Sequence, residues 1–525
     1  YFFSLLLYLV SVGAFAQDAP EPDDAKRDLA ATKELVTVRG KVVGAPINMY
    51  YLETVGGPTY LIVKPPASMR EFLDLNVEIK GWTSGYEGIF IVQPAQIPRI
   101  LVPAWWSVPF LLLLACIAIV PFINKHFWDR HFHHIALALG VAVVTVYLAR
   151  LGGYGQYRIK EVALDYFKFI ALIGSLFIVT GGILIDISGR GAPFVNTVLL
   201  AAGALLANIF GTTGAAMLLI RPFLRINQGR LRPFHVVMFI FIVANCGGAL
   251  TPIGDPPLFL GYLCGVPFSW TIFNCWPAWA LTVGLLLFAF FIMDSLVAPK
   301  EIALEKTRVK ISGAVNFVCL AVVVFGVFID KLLEEYGSSA LKHYPLGAVV
   351  MLMAAGVAYW RSNHEILTRN EFAFGPIREV AYLFLGIFAT MPPALDYLAA
   401  NATLFGIVSP GDFYFVTGAL SGVLDNAPTY LNFLTTAHGL KEIPLAKEQM
   451  PLFINQHSQY LLAISLSSVF FGACTYIGNG PNFMIKAIAE TSGAQMPSFF
   501  GYIIKYALPL LIPIYVLVWW LFLRT

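Results

Sequence analysis

The sequence predicts an all-α polytopic membrane protein: two inverted repeats, each with a re-entrant hairpin and a broken helix, behind a small exported β-barrel of OB type. Composition sets the class. The 525 residues are 58% hydrophobic and 12% charged, where a soluble globular chain is about 45–50% apolar and about 25% charged. Two apolar runs, 235–268 and 458–490, are each interrupted near mid-length by glycine, proline and an Asp or Asn. Residues 17–100 instead alternate with the period of strands.

Proline lacks an N–H and its ring clashes with the preceding turn, so no continuous helix is expected through Thr251–Pro257. In hydrocarbon the freed backbone groups and the Asp255 carboxylate need partners, which only protein or a wet cavity supplies. The stretch Gly248-Ala249-Leu250-Thr251-Pro252-Ile253-Gly254-Asp255-Pro256-Pro257-Leu258-Phe259 aligns without gaps on Gly472-Ala473-Cys474-Thr475-Tyr476-Ile477-Gly478-Asn479-Gly480-Pro481-Asn482-Phe483, with Asp255 facing Asn479. Broken segments at matching positions of two halves point to the binding site of a secondary transporter.

Residues 1–16 are an apolar run ending Ala14-Phe15-Ala16, read as a signal peptide with its cleavage site; the alternative is an uncleaved first span. A Pro/Asp-rich linker to about Arg27 leads to the exported domain, 17–100, with five strands expected at 35–43, 49–54, 59–63, 77–82 and 88–93 and turns at Gly56-Gly57 and Ser84-Gly85. The transporter domain, 104–525, has ten expected spans: 104–123, 132–150, 166–187, 235–268 (broken), 271–297, 313–333, 344–360, 379–399, 458–490 (broken) and 499–522. Stretches 193–224 and 403–437 are interrupted by Gly211-Thr212-Thr213-Gly214 and by Asp425-Asn426-Ala427-Pro428-Thr429; each half is too short to span, so each stretch is expected to be a re-entrant hairpin.

Arg190 before the first hairpin and Arg221, Arg225, Arg230 and Arg232 after it put both its ends inside by the positive-inside rule. Lys125/Arg130, Lys300/Lys306/Arg308/Lys310 and Arg361/Arg369/Arg378 fall on the same side; Arg150, Arg158 and Lys160 fall outside, against the rule. An odd number of spans separates the hairpins, so the second enters from the opposite face. The reading is a multi-pass protein of a bacterial-type inner membrane, its N-terminal domain outside the cytoplasm. A net charge of +3 implies no nucleic-acid partner. The six cysteines read as small core residues, and Trp105, Trp106, Trp519 and Trp520 as interface anchors. His126, His131, His133 and His134 form a loop cluster without the acidic or cysteine partner that a metal site would need.

The interrupted segments supply an oxygen-rich set: carboxylates of Asp255 and Asp425, hydroxyls of Thr212, Thr213, Thr251, Thr429 and Thr475, amides of Asn245, Asn426, Asn479 and Asn482, and unwound backbone at Gly254. A hard cation such as Na+ needs oxygen ligands, and Thr212, Thr213, Thr251, Asp255, Asp425, Asn426 and Asn479 are its expected ligands. Proton and Na+ competing for one carboxylate is enough for exchange. The plainer reading of either aspartate is a helix N-cap. Lys486, one turn after Asn482, faces the site or snorkels to the surface. Asp186 and Asp330, near span ends, read as interfacial. No resident cofactor is expected; Na+ and H+ are cargo or coupling ions.

These residues resemble the ion transporter superfamily, which includes sodium-coupled dicarboxylate and citrate carriers, arsenite permeases and one class of sodium/proton antiporters. The resemblance covers about 166–523. It is closest to the citrate-transporter members also labelled sodium:proton antiporters, through Gly-Gly-Ala-Leu-Thr-Pro-Ile-Gly-Asp-Pro-Pro and Thr-Tyr-Ile-Gly-Asn-Gly-Pro-Asn. It implies a scaffold domain, a transport domain that moves as an elevator, and a homodimer. Dicarboxylate carriers of the superfamily have Ser-Asn-Thr at both hairpin tips; here the tips carry Gly211-Thr212-Thr213 and Asp425-Asn426-Ala427, and Asp425 would repel a carboxylate.

The expected function is secondary active exchange of Na+ or another small cation for H+, favoured by Asp255 and Asp425 and by the lack of arginine in either loop. On this reading Asp255→Asn and Asp425→Asn both abolish exchange. The alternative is Na+-coupled symport of citrate or a related dicarboxylate, favoured by half-helix N-termini that suit anions. A membrane enzyme has no Walker A, HExxH or GxSxG motif behind it, and a receptor role has only the exported domain.

Overall fold

A computed structural model describes residues 34–45, 49–54, 59–63, 69, 72–83, 89–92, 99–189, 191–298, 308–336 and 344–524. The expected signal peptide, the linker to Arg27, both marked turns, Arg190, Lys300 and Lys306 lie outside the described residues. The chain divides into two compact units, Tyr1–Leu101 and Val102–Thr525.

In the first unit, β1 (Glu34–Ala45), β2 (Met49–Thr54), β3 (Thr59–Val63), β4 (Asn76–Thr83), β5 (Ile89–Val92) and β6 (Arg99–Ile100) form one sheet. Its order is β1-β2-β3-β5-β4-β6, with β1 also paired to β4. Only β3 and β5 run parallel. Period-two alternation buries Val42, Leu52, Ile62, Val77 and Ile79 together with Met69 and Phe72. β6 was not among the five expected strands; two residues are too few to show an alternation.

The second unit begins with α1 (Val108–Ile123), α2 (Lys125–Arg150) and α3 (Gly152–Gly181). The Asn124 side chain caps α2, accepting from Phe127 N at 2.9 Å. His126, His131, His133 and His134 therefore lie on helix, not in the expected loop. α3 starts well before the expected 166 and ends at Gly181. The rest of that expected span is β7 (Leu184–Ser188), antiparallel to β8 (Arg308–Ser312). Gly181-Gly182 stops the helix, and the alternation that follows suits a strand.

α4 (Pro193–Ile226) would be about 51 Å long if straight, at 1.5 Å per residue. It is folded back on itself. Gly191 N donates to Ile226 O at 2.6 Å, and the Asn196 and Asn227 amides exchange bonds of 2.8 and 2.9 Å. The break is at Gly211, at φ 75° and ψ 156°, where a side chain would be strained. The first broken segment follows: α5 (Pro233–Ile242), a single turn at Cys246–Gly248, and α6 (Pro256–Leu263).

Next come α7 (Phe268–Val297), α8 (Ala314–Tyr336), α9 (Leu346–Arg361), the short α10 (His364–Arg369), α11 (Gly375–Thr390) and α12 (Pro392–Asn401). The chain bends by 44° between α11 and the segment after it, at Pro392-Pro393, so the expected span 379–399 is not straight. α13 (Pro410–Ser421) and α14 (Asn426–Leu440) form the second hairpin. Phe413 and Phe433 meet across it at 6.2 Å. At its open end the Tyr460 hydroxyl donates to Val408 O at 2.7 Å while Lys441 Nζ lies 4.4 Å over the Tyr460 ring. Its first arm starts at Pro410, later than the expected 403, because Ser409 and Asp412 form a capping box there. α15 (Met450–Phe470), a turn at Phe471–Cys474 and α16 (Gly480–Thr491) make the second broken segment, and α17 (Phe499–Phe522) closes the chain.

Among the described residues six helices, the folded-back α4 among them, are long and apolar enough to cross a membrane by length and composition, or seven if the bent pair counts as one. Large apolar side chains such as Ile123, Phe273, Phe288 and Leu296 on these helices, and Trp360 on the shorter α9, are exposed. Water does not tolerate so continuous an apolar surface; this is a multi-pass membrane protein. Arg158, which broke the expected charge bias, is neutralised inside the unit: it lies 2.7 Å from Glu161 and 3.6 Å from Asp396, and Tyr147 also donates to Asp396 at 2.8 Å. Asp330 pairs with Lys168 at 3.1 Å, and Asp186 with Arg369 at 2.8 Å.

Candidate functional site

Asp255 stands where the chain leaves the turn between α5 and α6 and re-enters helix. Pro256 and Pro257 occupy the first helical positions, where a missing N–H costs nothing. Asp255 is buried, and a carboxylate there requires hydrogen-bond donors. They come from both halves of the unit. Thr212 Oγ1, at the first hairpin tip, donates to Oδ1 at 2.7 Å. Asn426 Nδ2, at the second tip, donates to Oδ2 at 2.6 Å. Asn479 Nδ2, in the second broken segment, makes a longer contact of 3.4 Å to Oδ1. All three donors are neutral.

The contact network continues from Asn479 to Asn245 Oδ1 at 3.1 Å. Asn245 Nδ2 donates to Asn482 Oδ1 at 2.7 Å, and Asn482 Nδ2 donates to the carbonyls of Gly472 and Thr475, each at 2.8 Å. Amides thus tie one broken segment to the other. One acceptor is left over: Asn426 Oδ1 is buried and has no hydrogen-bond partner among the described residues.

Both turns are built by the same bonds. Thr251 Oγ1 donates to Asn208 O at 2.7 Å and accepts from Gly254 N at 3.1 Å. Thr475 Oγ1 donates to Gly422 O at 2.6 Å and accepts from Gly478 N at 3.0 Å. Asp255 and Asn479 occupy the N-cap positions of their helices at φ/ψ of −143°/144° and −149°/138°, but neither side chain bonds its own helix's first turn.

Of the residues expected from sequence, Thr212, Asn245, Thr251, Gly254, Asp255, Asn426, Thr475, Asn479 and Asn482 come together in this network. Thr213 lines a pocket at the first tip with Leu172 and Leu176 of α3, Gly211, Pro252 and Phe259; among the described residues no charged side chain lines it. Three residues differ from expectation. Asp425 is half-buried, and its carboxylate caps α14, accepting from Ala427 N at 3.0 Å. Thr429 Oγ1 turns back to Asp425 O at 2.9 Å. Lys486 Nζ pairs with Glu490 at 2.9 Å and lies 5.4 Å over the Tyr476 ring; the local i,i+4 carboxylate captures it.

Asn208 was missed. Its Oδ1 accepts from Leu250 N at 3.0 Å and its Nδ2 donates to Gly247 O at 2.7 Å, fixing the first turn against the hairpin. The available signal was an amide inside an apolar arm.

No curated protein matches the chain. Residues 100–523 match the family described as "Putative citrate transport", and the chain belongs to that family of membrane transporters.

Proposed function

We propose that the chain exchanges Na+, or another small cation, for H+ by alternating access at Asp255. The observation that carries this reading is a buried carboxylate held only by neutral donors from both halves, next to an unsatisfied amide oxygen, Asn426 Oδ1. Carboxylate and amide oxygens are ligands for a hard cation. A proton on Asp255 and a cation between Asp255 and Asn426 exclude each other, which couples the two ions. Substrate binding at discontinuous segments fits this class of transporter.

The reading includes ten spans, re-entrant hairpins and inverted repeats, supported by the matched turns. It takes the chain to sit in a bacterial-type inner membrane as a homodimer, with the N-terminal unit outside as an OB-type barrel, supported by β1 pairing both β2 and β4.

The second reading is Na+-coupled symport of citrate or a related dicarboxylate, favoured by the family description and by the N-termini of α6 and α16 at the site. Everted vesicles separate the two. Na+- or Li+-driven proton movement without citrate uptake supports exchange, and citrate accumulation with no proton response to either cation overturns it.

A further inference from the structure

We infer that Asp294 is a positioning residue for the transport site, holding the open end of the first hairpin so that Thr212 at its tip reaches Asp255. The inference rests on the site proposed above.

Asp294 lies one turn from the end of α7 and is fully buried. A carboxylate in that setting persists only when paired and hydrogen-bonded, and every partner here belongs to the hairpin or to the chain that leaves it. Asn196, on the first arm, donates to Oδ2 at 2.7 Å. His235 Nε2, at the start of α5, lies 3.0 Å from Oδ1. Arg230, in the connection between them, donates to Oδ1 through Nη2 and to Gly191 O through Nη1. Asn196 also exchanges amide bonds with Asn227 at the end of the second arm. One carboxylate therefore gathers the chain within and after the hairpin and, through Arg230, the chain before it.

The lever is long. Thr212 lies 16 residues beyond Asn196, about 24 Å of helix, so a rocking of about 5° at the base moves the tip by about 2 Å. That is enough to break a 2.7 Å bond to Asp255. Packing alone does not require an acid at the base. The second hairpin is closed by Tyr460, with its bond to Val408 and Lys441 over its ring, and by His438 stacked on Phe453 at 3.8 Å.

The test is Asp294→Asn, which keeps an oxygen for Asn196 but removes the charge facing Arg230, assayed in everted vesicles for Na+-driven proton movement, or for citrate uptake if that is what the wild type performs. The half-saturating concentration is expected to rise about tenfold or more, with the maximal rate changed less than threefold. On a Thr212→Ala background Asp294→Asn is expected to add nothing, because both act through one contact. If the single variant does not insert, Asp294→Asn with Arg230→Gln leaves no unpaired charge and carries the same prediction. Wild-type half-saturation in an inserted variant, loss of maximal rate alone, or full additivity with Thr212→Ala overturns the inference. Wild-type vesicles inert to both substrates overturn the function and, with it, the inference.

Discussion

In the turn between α5 and α6, a Cβ placed on Gly254 would lie 2.1 Å from the Gly248 carbonyl oxygen, whereas the same atom on Gly478 would lie 2.7 Å from that of Gly472 in the turn before α16. The partner glycines differ likewise: a Cβ on Gly248 meets Thr212 Cγ2 at 2.5 Å, and one on Gly472 meets nothing nearer than 3.3 Å. The tighter turn bears the carboxylate, Asp255, and the looser one bears the amide, Asn479. The tips differ too: Gly211 and Thr212 at the first, Asp425 and Asn426 at the second. One backbone design is thus used twice with the chemistry divided, the first half supplying the charge and the second the amide that bonds it most closely.

Substitutions that exchange or erase this division should rank in a definite order. Asp255→Asn removes the one carboxylate in the network. An amide can neither carry the proton nor offer a charge to the cation, so exchange should be abolished, with membrane insertion intact, as read by proton movement in everted vesicles. Thr212→Ala and Asn426→Ala each remove one bond to a charged group, worth about 1.5–3 kcal/mol. Each should raise the half-saturating cation concentration by about 10- to 100-fold. Equal loss of rate with no change in half-saturation would show that these groups do not hold the cation.

The glycines test the backbone half of the comparison. Gly254→Ala forces a carbonyl aside and should lower the thermal midpoint of detergent-solubilised protein the most, Gly478→Ala less, and Gly472→Ala least, in the order of the clearances above. The smallest effect is expected at Asp425. Asparagine caps a helix about as well as aspartate, so Asp425→Asn should leave exchange within about threefold of wild type, while Asp425→Ala costs about 1 kcal/mol of stability. A loss at Asp425→Asn as deep as at Asp255→Asn would restore the two-carboxylate site that the sequence suggests.

The broken segments and hairpins were legible because their signals are local: Pro252, Pro256 and Pro257 cannot continue a helix, Gly211 permits a positive φ, and the repeated letters place Asp255 opposite Asn479. The division of roles between the aspartates was not legible. Both sit at a helix start after a break, and only the fold shows that Asp255 faces Thr212 and Asn426 while Asp425 turns to its own helix. The sequence leaves Lys486 between the site and the surface, and only the fold shows that Glu490 one turn on captures it. Asp294 carries no pattern at all: its partners Asn196, Arg230 and His235 lie far away in sequence and meet it only once the hairpin has closed. The strand β7 was hidden inside an apolar run that reads equally well as the end of a helix.

Thr212, Asn426 and Asn479 belong to three separate stretches of chain, and Asp255 to a fourth. One side chain therefore bonds all three of the other stretches at once, beside the amide ties between the broken segments. A carboxylate offers about four acceptor sites and these donors take three, so a proton or cation can be added at Oδ2 while all three stay bonded. On the proposed mechanism, cargo joins a knot that already draws four stretches of chain together, so whatever frees one of those donors loosens the cargo and the chain at the same moment.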